Sequence, residues 1–171
     1  MSEASEELRS RQAPLKERYR EDAAAALIVL RAGASLDAAG VACRVDTGRA
    51  LVEAGLHPAT GGSGLQVCSG DMLLEALVAC AGVTLRAVAT ALDIAVRDGR
   101  VEAEGDLDVR GTLGVNREAP VGFRAIRLRF VLDADATPEQ LATLLKLTER
   151  YCVVLQTLRV PPHLTATMAT A

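Results

Sequence analysis

Hydrophobic and polar positions change period several times along this chain, and each change marks an element. The longest apolar run begins at Ser69 and reaches about Ile94. Its few charges are ordered: at about 100° per residue, with Asp71 set to zero, Glu75 and Asp93 fall at about 40° and Arg86 at about 60°, whereas Cys80 falls at about 180°. One narrow stripe is polar and the rest of the circumference is Leu, Ala and Val. That is the pattern of a helix at the centre of a domain or shared with a partner subunit. Ser69 or Asp71 is the N-cap candidate, Cys80 points into the interior, and Gly82, on the polar stripe, leaves room for a close neighbour.

Elsewhere the period is two. Val101–Arg110 alternates, with Glu102, Glu104, Asp106 and Asp108 on one face, so it reads as a strand with one solvated side. Ile126, Leu128, Phe130 and Leu132 alternate with Arg127 and Arg129, and a hairpin of the two runs sets acidic against basic side chains. Earlier, Ala26–Arg31, Val41–Asp46 and Ala50–Ala54 read as strands. Val41, Cys43 and Val45 share one face of the second, which makes Cys43 a core residue, and His57–Gly64 is a loop by composition. Residues 1–24 are charged and poor in large apolar side chains, an extension in front of one domain over 25–171.

Near the C-terminus, Thr137-Pro-Glu-Gln140 is a capping box with proline at the first helical position. It opens a helix through Leu141, Leu144, Leu145 and Thr148, with Leu145 and Cys152 two turns apart on one face. Val153-Val154 weakens helix propensity there, so a kink or restart is expected at Cys152, where unpaired N–H groups would acidify a thiol. Pro161-Pro162 ends the element, and Leu164, Ala166 and Met168, alternating with Thr165 and Thr167, predict a closing strand.

Composition narrows the function. Half of the 171 residues are apolar, enough for one domain with a core. A net charge of −3 and 2% aromatics supply neither the basic footprint nor the stacking surface of a nucleic-acid binder. The charged first residues are unlike a signal peptide, and the uncharged stretch around Cys80 is too short to span a bilayer. A soluble, cytoplasmic protein that binds neither nucleic acid nor membrane is expected.

The four cysteines, Cys43, Cys68, Cys80 and Cys152, form no Cys-x-x-Cys pair and no dense framework, which excludes a zinc ribbon and a secreted disulfide scaffold. A zinc site from Cys68, Cys80, Cys152 and His57 has no ligand spacing behind it. The bland role of a cysteine is that of a small buried hydrophobe. Cys80 and Cys152, however, lie in two different helical contexts, where an acidified thiol on one element can attack peroxide oxygen and a thiol on the other can close the resulting sulfenic acid to a disulfide.

Ser69-Gly-Asp-Met-Leu-Leu-Glu-Ala-Leu-Val-Ala-Cys80 resembles the first-cysteine helix of the OsmC/Ohr thiol peroxidases, and Glu149-Arg-Tyr-Cys-Val-Val-Leu-Gln-Thr-Leu158 is similar to their second-cysteine segment. The resemblance covers roughly residues 25 to 170. It implies an α+β, OsmC-like fold with antiparallel sheets around a central buried helix, as an intertwined homodimer with active sites at the interface. It further implies that Cys80 attacks an organic hydroperoxide and that Cys152 resolves the sulfenic acid to a disulfide, which a dithiol reductant reopens without metal, flavin or haem. The family holds its thiolate with an arginine, for which Arg49 and Arg44 are the candidates here, and holds that arginine with an acid, for which Asp71 is the nearest match. Nine residues put Asp71 about 13 Å along the axis from Cys80, so it acts only through a bridging arginine. His57 is a substitute for the arginine and Cys68 a rival resolving thiol. The family often has proline after the second cysteine, where Val153 stands here. The alternative is an OsmC-like domain without peroxidase activity that binds a hydrophobic ligand at its interface.

Overall fold

The computed structural model describes residues 33–36, 42–46, 51–114 and 116–170, together with Glu3, Glu6, Ser10, Ala13 and Glu21, which are helical. The strand expected over Ala26–Arg31, the boundary at residue 24 and Arg49 lie outside the described residues.

Three short strands, β1 (Gly33–Leu36), β2 (Ala42–Asp46) and β3 (Leu51–Gly55), form an antiparallel meander in which Arg44 is opposite Glu53 and Cys43 opposite Ala54. A two-residue strand, β4 (Val67–Cys68), joins β3 in parallel and leads directly into the central helix. The loop before β4 contains one 3-10 turn, Pro58–Thr60, capped by His57 and closed by Gly61 at φ 91, a value that favours glycine.

The central helix, α1 (Ser69–Ala91), is N-capped by Cys68 and not by Ser69 or Asp71. Asp71 instead sits in the first turn, where its charge complements the free N–H groups. The helix stops three residues before Ile94. Asp93 turns left-handed at φ 57, and the Ile94 N–H bonds back to the Ala89 carbonyl at 2.9 Å. That reversal buries Ile94 against the helix it terminates, in one cluster with Leu85, Val88, Ala89 and Leu144.

β5 (Ala95–Leu107) and β6 (Phe123–Asp135) make the long hairpin, with Glu102 opposite Arg129 and Glu104 opposite Arg127. Its solvated face is the expected ion-pair ladder. The Arg127 guanidinium grips Asp106 at 2.5 and 2.7 Å and reaches Glu104 at 3.3 Å, while Arg97 pairs with Asp133. Asp108 departs from that face, because the strand ends at Leu107 and Asp108 caps a short helix, α2 (Val109–Thr112), accepting the Arg110 N–H at 3.2 Å. The apolar face of the hairpin, Val101, Ala103, Ile126, Leu128 and Phe130, packs on α1 around Leu77 and Ala81.

α3 (Pro138–Tyr151) starts at the expected capping box: the Gln140 N–H donates to Thr137 Oγ1 at 3.3 Å, and the Thr137 N–H donates to Gln140 Oε1 at 2.8 Å. The chain then breaks at Cys152 and resumes as α4 (Val153–Arg159). The closing strand is a correction: residues 161–170 are exposed and unpaired, Met168 at 98%. Alternation makes a segment competent for a sheet, but only an adjacent edge supplies its backbone hydrogen bonds.

The apolar circumference of α1 is also less covered than its pattern predicts. Leu77, Ala81, Leu85, Val88 and Ala89 are buried, whereas Ala76 and Ala79 face outward and Val83 is 73% exposed. By length and composition alone α1 also suffices to cross a membrane, a property it shares with core helices of soluble proteins.

Candidate active site: two thiols at a helix break

Cys80 lies midway along α1 and is half-buried, at the margin of the buried arc rather than deep within it. Cys152 is fully buried. It occupies the break between α3 and α4 with φ −72 and ψ 106, outside the helical region. Its N–H still completes α3 by bonding the Thr148 carbonyl at 3.0 Å, and its carbonyl accepts the first bond of α4, from the Gln156 N–H, at 2.9 Å. Two contacts brace the break from outside: Gln156 Nε2 donates to the Glu149 carbonyl at 2.6 Å, and Arg159 pairs with the Glu149 carboxylate at 3.1 Å. Because Cys152 leaves the helix, it parts from Leu145, which remains largely exposed.

The break brings the two cysteines together in one apolar cluster with Leu77 and Ala81. Burial is the largest single influence on Cys80 and disfavours its thiolate. The Val154 N–H, the Cys152 thiol, the Val153 N–H and the Thr84 hydroxyl together outweigh it, so the Cys80 pKa lies below the ordinary thiol value. Cys152 moves the other way: burial pushes its thiol up, and its role as donor to Cys80 adds to that rise. The chain thus separates two chemically identical groups into one that gives up its proton readily and one that keeps it.

Of these donors only Cys152 was picked out by sequence. Thr84 lies one turn beyond Cys80, with its hydroxyl on the Cys80 carbonyl at 2.8 Å, and from there it can turn its proton toward the sulfur. The main-chain donors exist because the first intrahelical bond of α4 comes from Gln156, leaving the N–H groups of Val153, Val154 and Leu155 ahead of the ladder. Gln156, one turn after Cys152, was the available sequence signal for the brace.

The remaining candidates are elsewhere. Asp71 is exposed in the first turn of α1 and makes no ion pair among the described residues. Arg44 lies on β2, opposite Glu53. His57 has its Nδ1 occupied by the Ala59 N–H at 3.0 Å. Cys68, half-buried at the start of α1, lies near Gly70 and outside the thiol cluster. No arginine among the described residues acts on Cys80, and no group of His, Cys, Asp and Glu among them is arranged to hold a metal.

Beside the thiols runs a groove of about 990 Å³ between α1, β6, α3 and α4, with Leu73, Leu77, Phe130, Leu144, Leu155 and Leu158 in its walls. Arg124, Arg129, Glu149 and Arg159 also line it. Consecutive residues 122–126 contribute to the lining, so the groove follows the edge of β6 that carries no partner strand among the described residues, the other edge being paired to β5. Leu77, Leu155 and Leu158 belong both to this groove and to the thiol cluster.

A central helix carrying one thiol, a long hairpin and a broken second helix carrying the other define an α+β protein of the OsmC-like fold. Residues 62–167 match the family model described as OsmC-like protein, and the chain belongs to that family. The fold is similar to an OsmC-like protein from Mycoplasma pneumoniae (16% identity, 78% of this chain and 89% of that one, TM-score 0.65). It is also similar to an organic hydroperoxide resistance protein OsmC from Legionella pneumophila (17% identity, 78% and 91%, TM-score 0.61). The organic hydroperoxide resistance protein OhrB of Bacillus subtilis gives 20% identity, 78% and 93% coverage and a TM-score of 0.52. No curated protein matches the sequence significantly.

Proposed function

We propose that this protein is a cysteine-based peroxidase that reduces organic hydroperoxides to alcohols. The observation that carries the reading is Cys80 packed in one apolar cluster with Cys152 at the helix break, and the opposite directions of their pKa values support it. The Cys80 thiolate attacks the terminal peroxide oxygen. The O–O bond breaks, the alkoxide departs and takes up a proton to become the alcohol, and Cys80 is left as a sulfenic acid, oxidised by two electrons. The Cys152 proton is at hand for that alkoxide, and the thiolate so formed attacks the sulfenic sulfur, closing a Cys80–Cys152 disulfide and expelling hydroxide, which takes a proton from solvent to become water. An external dithiol returns two electrons and two protons. The apolar groove beside the thiols favours an organic over an inorganic peroxide.

The working unit is a homodimer. The outward apolar face of α1, the unpaired edge of β6 along an apolar groove, and the unpaired alternating segment after Pro162 each need a second surface, and two copies supply one another.

Consumption of cumene hydroperoxide by the purified chain, dependent on added dithiol and yielding one Cys80–Cys152 disulfide in a peptide map, tests the reading. A second reading, a catalytically silent domain binding a hydrophobic ligand, is favoured by the groove volume and by the lack of an arginine acting on Cys80 among the described residues. In that case hydroperoxide is not consumed and an apolar fluorescent probe binds with equal affinity to reduced and oxidised protein.

A further inference from the structure

We infer that Gln156 is the positioning residue of the resolving thiol: its side-chain amide selects the broken form of the α3–α4 helix, the form that seats Cys152 beside Cys80. The inference rests on the proposed reading in that it takes Cys152 to be the resolving sulfur.

α3 and α4 are separated by Cys152 alone, so one continuous helix is the nearest alternative to the break. In that helix the Glu149 carbonyl would accept the Val153 N–H, four residues on. At the break it accepts Gln156 Nε2 instead, at 2.6 Å. In an unbroken helix Gln156 would lie about 10 Å along the axis from Glu149, too far for its side chain to serve a carbonyl that the intervening turn already occupies. The bond therefore belongs to the broken form, and a contact made in one of two conformations biases the chain toward that one. The pair between Arg159 and Glu149 at 3.1 Å also spans the break, but its side chains are 48% and 38% exposed, where an ion pair contributes little. The Gln156 bond is partly buried and carries the selection.

The two forms place Cys152 differently. Two turns of unbroken helix return nearly to the starting direction, so a straight α3–α4 would carry Cys152 onto the face of Leu145, which is 44% exposed. The broken chain buries Cys152 completely, in the cluster that holds Cys80, Leu77 and Ala81. The Gln156 main-chain N–H bonds the Cys152 carbonyl at 2.9 Å, a bond that either form allows. The side chain is what discriminates between them.

The test is alkylation of the reduced full-length chain by iodoacetamide at fixed pH, followed peptide by peptide, for wild type, Gln156→Met and Thr137→Ala. Gln156→Met keeps the length of the side chain and removes the donor. Cys152 should then be labelled about fivefold faster, the factor that one neutral hydrogen bond supplies. Less Cys80–Cys152 disulfide should also form in a fixed mixture of reduced and oxidised glutathione, where the dithiol passes two electrons and two protons to glutathione disulfide and leaves two glutathione thiols. Thr137→Ala removes a side-chain hydrogen bond at the other end of α3 and should match wild type in both measurements, which a general loss of stability would not. An unchanged Cys152 rate, an unchanged disulfide fraction or an equal change in Thr137→Ala overturns the inference. Should Gln156→Met not fold, the wild-type side-chain amide decides: in the reduced protein the Gln156 Nε2 protons should exchange with solvent more slowly than those of exposed Gln140, and equal rates overturn the inference. No arm contains a peroxide, so a chain that behaves as expected here and consumes no hydroperoxide refutes the peroxidase reading alone.

Discussion

Cys80, midway along α1, and Cys152, at the break between α3 and α4, pack in one apolar cluster, and their thiol pKa values move in opposite directions. Amide groups at the start of α4 favour both thiolates, but burial and the neighbouring Cys80 outweigh them at Cys152, whereas the donors around Cys80 outweigh its burial.

Cys80→Ser should abolish hydroperoxide reduction, since the remaining sulfur holds its proton. Cys152→Ser should permit one turnover per site and then stall, leaving a sulfenic acid that dimedone labels at Cys80. Cys68→Ser should cycle normally, because Cys68 is outside the thiol cluster. Peroxide consumption together with mass spectrometry of the labelled peptides checks all three.

The pKa directions fix the sign of a stability experiment. Cys80, lowered in the folded state, contributes stability that is present above its ordinary thiol value and is lost as pH falls through its folded value. Cys152, raised, contributes stability that is present below its ordinary value and is lost as pH rises through its folded one. Urea midpoints from pH 6 to 10 should therefore show the advantage of reduced wild type over Cys152→Ser shrinking at the alkaline end. An advantage that grows there contradicts the assignment.

Thr148 is buried at 1% exposure, one turn before Cys152, and its hydroxyl has no hydrogen-bond partner. An unmet buried hydroxyl costs about 1–3 kcal/mol. Thr148→Val removes it at nearly constant volume and should raise the melting temperature by about 2–4 °C per kcal/mol recovered in a chain of this size. Calorimetry of the reduced protein measures it, and a lower melting temperature would show that the hydroxyl is satisfied.

Thr137→Ala removes the Oγ1 that accepts the Gln140 N–H, the side-chain half of the capping box at the N-cap, and keeps the backbone N–H that bonds Gln140. It should destabilise the protein by about 1 kcal/mol while leaving the alkylation profile of Cys80 unchanged, since the cap is at the opposite end of α3 from Cys152. Thermal melting and the alkylation assay read the two outcomes separately.

Val83→Glu places a charge on the outward apolar face of α1 and should convert a dimer to monomer, as read by light scattering at micromolar concentration. Wild type at monomer mass would refute the dimer directly.

What could be read from sequence was local. The capping box at Thr137, the charge ladder of Arg127 and Arg129 over Glu102 and Glu104, and the restart at Cys152 each depend on residues within a few positions or on strict alternation, and each is present in the fold. The errors came from chain reversals and missing neighbours. Asp93 ended α1 by a left-handed turn that no flanking glycine announced, and Leu164–Met168 has strand alternation but no edge paired to it among the described residues. At the site, the two thiols were legible as side chains. The amide donors around them were not, because the N–H groups at the start of α4 belong to the backbone and depend on where a helix begins.

Among the described residues the β5–β6 hairpin stands as a two-stranded sheet, with one face on α1 and no strand paired to either long edge. Two strands alone are marginal in water. In the homodimeric reading, holding the hairpin and meeting a second chain become parts of one equilibrium, and dilution then acts on this protein as a denaturant does. Its melting temperature would climb with concentration, and the amount of chain present would itself determine how much of it is folded.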